Sequence, residues 1–345
     1  MKKVSYIGLI LLLLVIFVAI FGFINQNKLI DRFVSRQSDA AAYRYDLLEE
    51  DDKIRLVTVG TGSPLPGNRV RSCNAVIING HFFLFDVGPG SSLALENLRL
   101  PIDKLKAIFI THWHADHYMD LPELVNRSWL LNRQDSLFVH GPEGIDTVMS
   151  GLNMFIEPDN RFRLAHHGTE VVSPSTAYPI PVPIDTDDDG YAVVYEQDGI
   201  LIEAFLVNHE PVSPSLGYRV SFNGKSLVFS GDTRQSDTVI KYAQGADILV
   251  HEALASDFLE RAIKIQTENG NERNAAILKD LMSYHSTPVD AATVAEKAGV
   301  KRLILSHLGP APENPISRRM FTSNMDDIYQ GPILLAEDGD LFVIE

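Results

Sequence analysis

The sequence predicts an α/β protein, a sheet-based core with helices outside, carried behind an apolar N-terminal helix. From Ile54 onward, short runs rich in Val, Ile and Phe alternate with amphipathic stretches, in two similar halves. Paired runs are joined by tight polar turns. The clearest is Asn79-Gly80, between "NAVII" and "HFFLF", a dipeptide suited to the two-residue hairpin. Ahead of all this, residues 4–24, "VSYIGLILLLLVIFVAIFGFI", carry no charged side chain.

That apolar stretch comes first. At about 1.5 Å per residue it is long enough to cross a hydrocarbon core of about 30 Å. Its length, and the lack of a small-x-small site after it, favour an uncleaved signal-anchor over a cleaved signal peptide. Lys2 and Lys3 precede it, which argues for a cytoplasmic N-terminus and a main domain outside the cytoplasm, periplasmic in a two-membrane cell. Lys28, Arg32 and Arg36 follow it and weaken that bias. On this reading residues 1–27 are a transmembrane segment, 28–52 a polar juxtamembrane linker helix, and 53–345 one large domain.

Within that domain "IRLVTVG" predicts a strand, "NAVIING" and "HFFLFDVG" a hairpin, and "GPGSSLALENL" a helix. "LKAIFI" predicts a strand that runs into "THWHADHYMD", and "DLPELVNRSWLLNR" an amphipathic helix. "LFVHGPEG" is a strand and turn. Residues 158–190, rich in Pro and acid, predict an extended surface connection. The second half continues with the strand pair of "YAVVYEQDGILIEAFLVNH", the hairpin "LGYRVSFNGKSLVFSGD" and the strand "ADILVHEA". A long helical region follows, about 256–284, then the helix "PVDAATVAEKAG", the strand "RLILSH" and a closing strand pair, "ILLAEDGDLFVI".

Composition excludes some chemistry. The single cysteine, Cys73, rules out an intramolecular disulfide and a Cys-based zinc cluster. The formal net charge is −15. A field of that sign repels phosphate backbones and disfavours a nucleic-acid partner. "GTGSPLPG" lacks the Lys-Ser/Thr of a phosphate loop.

The chemistry gathers at four strand ends: "FITHWHADH", "FLVNHE", "VFSGDT" and "LILSH". Imidazole and carboxylate are the ligand types of Zn²⁺ and similar divalent metals. Alternate residues of an extended segment point the same way, so His112 and His114 can reach one metal. Asp116 and His117 follow the turn and can face a second. His285 sits just before Thr287, an expected N-cap, and Pro288, an expected first helical residue. It reads as a proton donor to a leaving group or a hydrogen-bond donor to a developing oxyanion, against a plain helix-capping histidine.

"THWHADH" resembles the His-x-His-x-Asp-His signature of the metallo-β-lactamase fold hydrolases. "VNHEPVSPSLGYR", "FSGDTR" and "LSHLGP" extend the resemblance along residues 54–345, and "VHEA" and "HSTP" are similar to motifs of its ribonuclease Z and arylsulfatase-like branches. The resemblance implies an αββα sandwich around a di-metal centre, with His112, His114 and His209 on one ion, Asp116, His117 and His307 on the other, and Asp232 bridging. Zinc is implied by ligand type, and manganese(II) or iron(II) would also suit. The implied reaction is hydrolysis by a metal-bridging hydroxide, with Asp116 orienting it or taking its proton. Relatives of this fold are often dimers, so a homodimer is expected.

Other features are weaker. "DTDDDGYAVVYE", residues 185–196, matches a calcium loop letter for letter but lacks flanking helical patterns, so an acidic turn is expected. His166 and His167 read as an exposed polar turn, with the border of the substrate pocket as the alternative, and His81 and His140 as structural. His251 is either a partner that orients a ligand or a core histidine. Between the branches, only "VSFNGKSLVFS" separates "GYR" from "GDT", too short for the RNA-gripping arm implied by a tRNA-processing enzyme. "FDVGPGS" and "HLGPAP" look more arylsulfatase-like. The sequence alone therefore favours a membrane-tethered di-zinc hydrolase of small sulfate or phosphate esters. A ribonuclease Z-like phosphodiesterase comes next, and a lactonase, a β-lactamase or a non-catalytic metal sensor follow at a distance.

Overall fold

Strands that are apolar at every position need cover on both faces, and the runs after Ile54 receive it. The structure, a computed structural model, describes residues 2–40 and 42–345. It divides into two units between Arg44 and Tyr45.

The N-terminal unit holds α1 (Lys2–Ile24) and α2 (Gln26–Ala40). Among the described residues no single helix is long and apolar enough to cross a membrane. The pair Ile10–Ile24 and Gln26–Ser35 passes by length and composition together, but it is bent by 67°. This differs from the single transmembrane helix read from residues 4–24.

The second unit follows in chain order: β1 (Ile54–Gly60), β2 (Cys73–Ile78), β3 (His81–Phe85), α3 (Ser91–Asn97), β4 (Leu105–Phe109), α4 (Ala115–Tyr118), α5 (Leu121–Leu130), β5 (Phe138–Gly141), α6 (Ile145–His167) and β6 (Ile180–Pro183). Then come β7 (Tyr191–Gln197), β8 (Ile200–Val207), β9 (Ser215–Phe222), β10 (Lys225–Phe229), α7 (Asp237–Tyr242), β11 (Ile248–Leu254), α8 (Ser256–Glu268), α9 (Glu272–Tyr284), α10 (Pro288–Ala298), β12 (Leu303–Gly309), α11 (Pro315–Phe321), β13 (Ile333–Leu335) and β14 (Asp340–Ile344).

The strands form two sheets, in the orders β14-β1-β2-β3-β4-β5-β6 and β13-β12-β11-β10-β9-β8-β7. Leu56, Val76, Phe85 and Phe109 of the first meet Tyr218, Phe229, Val250 and Ile304 of the second in the layer between them. The opposite faces bury Val57, Ile77 and Ile108 under α3, α5 and α6, and Leu249 and Leu305 under α7 and α10. Helices thus cover both outer faces of a two-sheet sandwich. Asn79-Gly80 and Asn223-Gly224 both sit at positive φ, as the mirror-image hairpin turn requires.

Three sequence expectations fail for identifiable reasons. The linker does not extend to residue 52. Leu47 is buried in the outer core of the first sheet, Asp51 accepts from Arg55, and Asp52 accepts from Asn223 and Lys225. Residues 158–190 are not all extended, because α6 runs through Pro158 to His167. Its buried stripe of Ile145, Met149, Leu152, Ile156 and Asn160 continues past the proline, so packing overrides the local helix-breaking tendency. The closing strands do not pair with each other: β13 joins β12 while β14 joins β1.

Candidate metal centre

The C-terminal ends of β3, β4, β8, β10, β11 and β12 supply the site. After β4 the chain stays extended to His114 (φ −84°, ψ 141°), so the rings of His112 and His114 turn to the same side. The short α4 then brings in Asp116 and His117, both buried. In β12 a bulge opposite Glu252 and Ala253 inserts His307, and its φ of 48° is left-handed. Such a conformation costs a non-glycine residue about 1–3 kcal/mol. Here it aims the ring at the 112–117 loop.

All seven residues singled out as ligands come together. His112 Nε2 and His209 Nε2 lie 3.0 and 3.3 Å from His114 Nδ1. His307 Nε2 is 3.1 Å from Asp116 Oδ2, and His117 Nε2 is 3.6 Å from the same oxygen. Asp232 Oδ2 faces both groups: it is 3.8 and 4.0 Å from His112 and His209, and 3.2 and 3.5 Å from His117 and His307. Within each group the donor atoms are no more than 4.8 Å apart.

Surrounding groups set the ring orientations. His117 Nδ1–H donates to Asp86 Oδ2 at 2.7 Å, and Asp86 is held by the Thr111 N–H. His209 Nδ1–H donates to the Tyr284 carbonyl at 3.0 Å. Each of these bonds leaves Nε2 facing inward. Glu252 accepts from His285 Nδ1–H at 2.8–2.9 Å and from the Thr233 N–H. Asp86 and Glu252 were missed by the sequence reading, although both stand in the quoted motifs "FDVG" and "VHEA". Their position directly after, or near the end of, a buried strand was the available signal.

The donor set fits divalent cations. Burial lowers the pKa of His112, of His114 and of His209, the last to about 4, against the pull of Asp232, so these rings are neutral with lone pairs free. Burial would raise Asp116, but His117 and His307 outweigh it and hold the carboxyl at about 2. His117 Nε2 is buried without a hydrogen bond, beside the Asp232, Asp86 and Asp116 carboxylates that push its proton affinity up against burial. Several ring nitrogens turned toward the same buried carboxylates are what a bound cation would satisfy.

His285 lies buried 4.0 Å from Asp232. Burial alone would lower its pKa, yet Glu252 raises it to about 9. Thr287 caps α10 in a full capping box with Asp290, which fixes His285 one turn ahead of the helix. The remaining histidines stand apart. His81 pairs with Asp198, His140 is buried and stacks on Phe109, and His166 and His167 are exposed in the last turn of α6. His251 is buried and contacts the Glu252 carbonyl through Nδ1; its neighbour Glu252 is the group that orients a site histidine. In the 185–196 segment Asp187 accepts from the Asp189 and Tyr191 N–H groups, and β7 starts at once, so the helices of a calcium hand are missing there.

Residues 81–308 match the beta-lactamase superfamily domain. A ribonuclease Z of Mycobacterium sp. (strain KMS) is 32% identical over 260 residues, 74% of this chain and 85% of the relative. A ribonuclease Z of Mycobacterium marinum is 31% identical over 262 residues, 75% of this chain and 87% of the relative. Among solved structures, the metallo-β-lactamase fold protein YhfI of Bacillus subtilis has a TM-score of 0.60 at 17% identity, covering 85% of this chain and 100% of its own. The short form of human tRNase Z has 0.56 at 24%, covering 84% and 98%. The chain belongs to the metallo-β-lactamase superfamily. These relatives favour the phosphodiester side of the sequence reading and leave the sulfate-ester ranking unsupported. The donor set cannot separate the two chemistries, because the same ligands serve attack at phosphorus or sulfur. They also weaken the argument from net charge against RNA.

Proposed function

We propose that this member of the metallo-β-lactamase superfamily is a metal-dependent phosphodiesterase of the ribonuclease Z type, anchored to a membrane by residues 4–24. The observation that carries the reaction is the His285–Glu252 pair beside Asp232. An alkoxide leaving group, as in a sugar-phosphate chain, must be protonated as it departs, whereas a phenolate from an aryl sulfate needs this far less. Glu252 keeps His285 in the imidazolium form at neutral pH, so it delivers a proton from Nε2 to the departing oxygen.

His112, His114 and His209 would hold one ion, Asp116, His117 and His307 the other, with Asp232 facing both. Divalent cations there, zinc by ligand type and manganese(II) or iron(II) also suited, supply Lewis acidity to the phosphoryl oxygen and lower the pKa of water. Asp86 and the Tyr284 carbonyl keep the rings turned inward. Asp116 is too weak a base to keep a proton, so it orients the attacking water.

The test is a side-by-side assay of the zinc-loaded full chain on a precursor tRNA, bis(p-nitrophenyl) phosphate and p-nitrophenyl sulfate. Cleavage of phosphodiesters without sulfate release is expected. Turnover of the sulfate ester alone would overturn the reading.

A further inference from the structure

One side chain at the metal centre has no part in the ligation or the proton transfer. Tyr284 is the last residue of α9, directly before His285. Its carbonyl has a use, as the acceptor for His209 Nδ1–H at 3.0 Å. Its ring stands edge-on to His209, with centroids 5.1 Å apart and planes at 87°, and lies 4.8 Å from the His285 ring at 49°. Among the described residues no other Phe, Tyr or Trp ring makes such a contact with His285 or with a ligand histidine. The ring is braced from behind, because it packs on the small cluster of Leu254, Leu259 and Leu281. Swinging it away would uncover that apolar surface. Tyr284 is nevertheless only half-buried, so part of it stays open beside the His285–Glu252 pair.

We propose that Tyr284 is a stacking platform for the base of the departing nucleoside, and that it makes the enzyme select phosphodiesters whose leaving group carries an aromatic ring system. The inference rests on the phosphodiesterase reading. His285 gives its proton to the departing oxygen, so the sugar that bears this oxygen lies against His285. The base on that sugar then comes within reach of a ring whose centroid is 4.8 Å from that of His285. Charge gives the same answer. A chain of net charge −15 offers a phosphate backbone no general attraction. Stacking on an aromatic face needs no opposite charge and serves any base. Tyr284 is thus a specificity-determining residue that acts through binding and transfers no proton.

The test is a cycle on the zinc-loaded full chain with three dinucleoside phosphates. One has both bases, one lacks the base on the departing side, and one lacks the base on the side that keeps the phosphate. Product analysis shows which nucleoside departs with a free hydroxyl. Tyr284→Leu keeps the backbone carbonyl that holds His209. It is expected to lower kcat/KM about 10–100-fold on the first and third substrates, mainly by raising KM, and much less on the second. Tyr284→Met, which keeps the apolar cover without a ring, should give the same pattern, and Tyr284→Phe should stay near the parent. Equal losses on all three substrates, with zinc content falling, would make Tyr284 only a brace for His209 and overturn the proposal. A loss that follows the retained base overturns it, and so does no loss on any substrate. If the parent cleaves none of the three, the phosphodiesterase reading falls and this inference with it. If the parent cleaves them and the variants discriminate as it does, only the inference falls.

Discussion

The two sheets contribute to the centre in opposite ways. The first delivers His112, His114, Asp116 and His117 from one loop after β4, with Asp86 from the neighbouring strand as brace. The second delivers His209, Asp232 and His307 singly, each from a different strand end, and Glu252 from a fourth. The first set is a local device, close to correct whenever β4 and α4 form. The second exists only when β8, β10, β11 and β12 are in register. The local set defines the ligand types, and the distributed set decides whether they close around anything.

That contrast breaks most sharply at Asp232, whose Oδ2 lies within 4.0 Å of two rings from each sheet. Asp232→Asn is expected to abolish phosphodiester turnover and deplete both ions, counted by mass spectrometry on purified protein. Retention of two equivalents would sever the two halves of the site. Next comes the distributed pair. His285→Gln or Glu252→Gln should cut kcat on an alkyl phosphodiester by about 10²–10⁴-fold with metal content unchanged, and far less on a substrate with a p-nitrophenolate leaving group. Equal losses on both substrates would reassign the pair to structure. Asp86→Asn sharpens the local side: about 10–100-fold weaker metal binding is expected, measured by competition with a chromophoric chelator, with little change in thermal stability.

The smallest effect at neutral pH concerns His140, behind the local set. Burial lowers its pKa to about 4 from the usual 6.5. The unfolded chain therefore binds a proton that the folded chain refuses between those values, and stability falls as pH drops through that window. His140→Phe should leave the pH 7 melting temperature nearly unchanged. It should recover up to roughly 3 kcal/mol of what the parent loses by pH 4, read from urea unfolding at several pH values. Parallel acid limbs for the two proteins would rule His140 out.

The same contrast governs what the sequence disclosed. The 112–117 loop was legible because its four donors fall within six positions, as were strands apolar on both faces. His209, Asp232 and His307 were found as strand-end residues within motifs, not from spacing, since nothing local ties them to position 112. Asp86 and Glu252 went unread because an isolated carboxylate at a strand end has no pattern of its own, and its importance shows only when His117 or His285 lies against it. Pro158 misled because a helix-breaking residue was weighed locally, while the stripe from Ile145 to Asn160 was anchored elsewhere. The sulfate-ester ranking finds no support in the relatives named ribonuclease Z, and the ligand set carries no signal that separates the two esters.

One feature of the topology bears on how such a chain comes off the ribosome. β1 lies at the N-terminal edge of its unit, yet its outer neighbour is β14, with Ile54 opposite Ile344, and the other sheet ends on β13. Both sheets thus take an outermost strand from the segment that follows α11. Until that segment has left the ribosome, β1 and β12 each present an unpaired edge, so the margins of the two sheets assemble after their interiors.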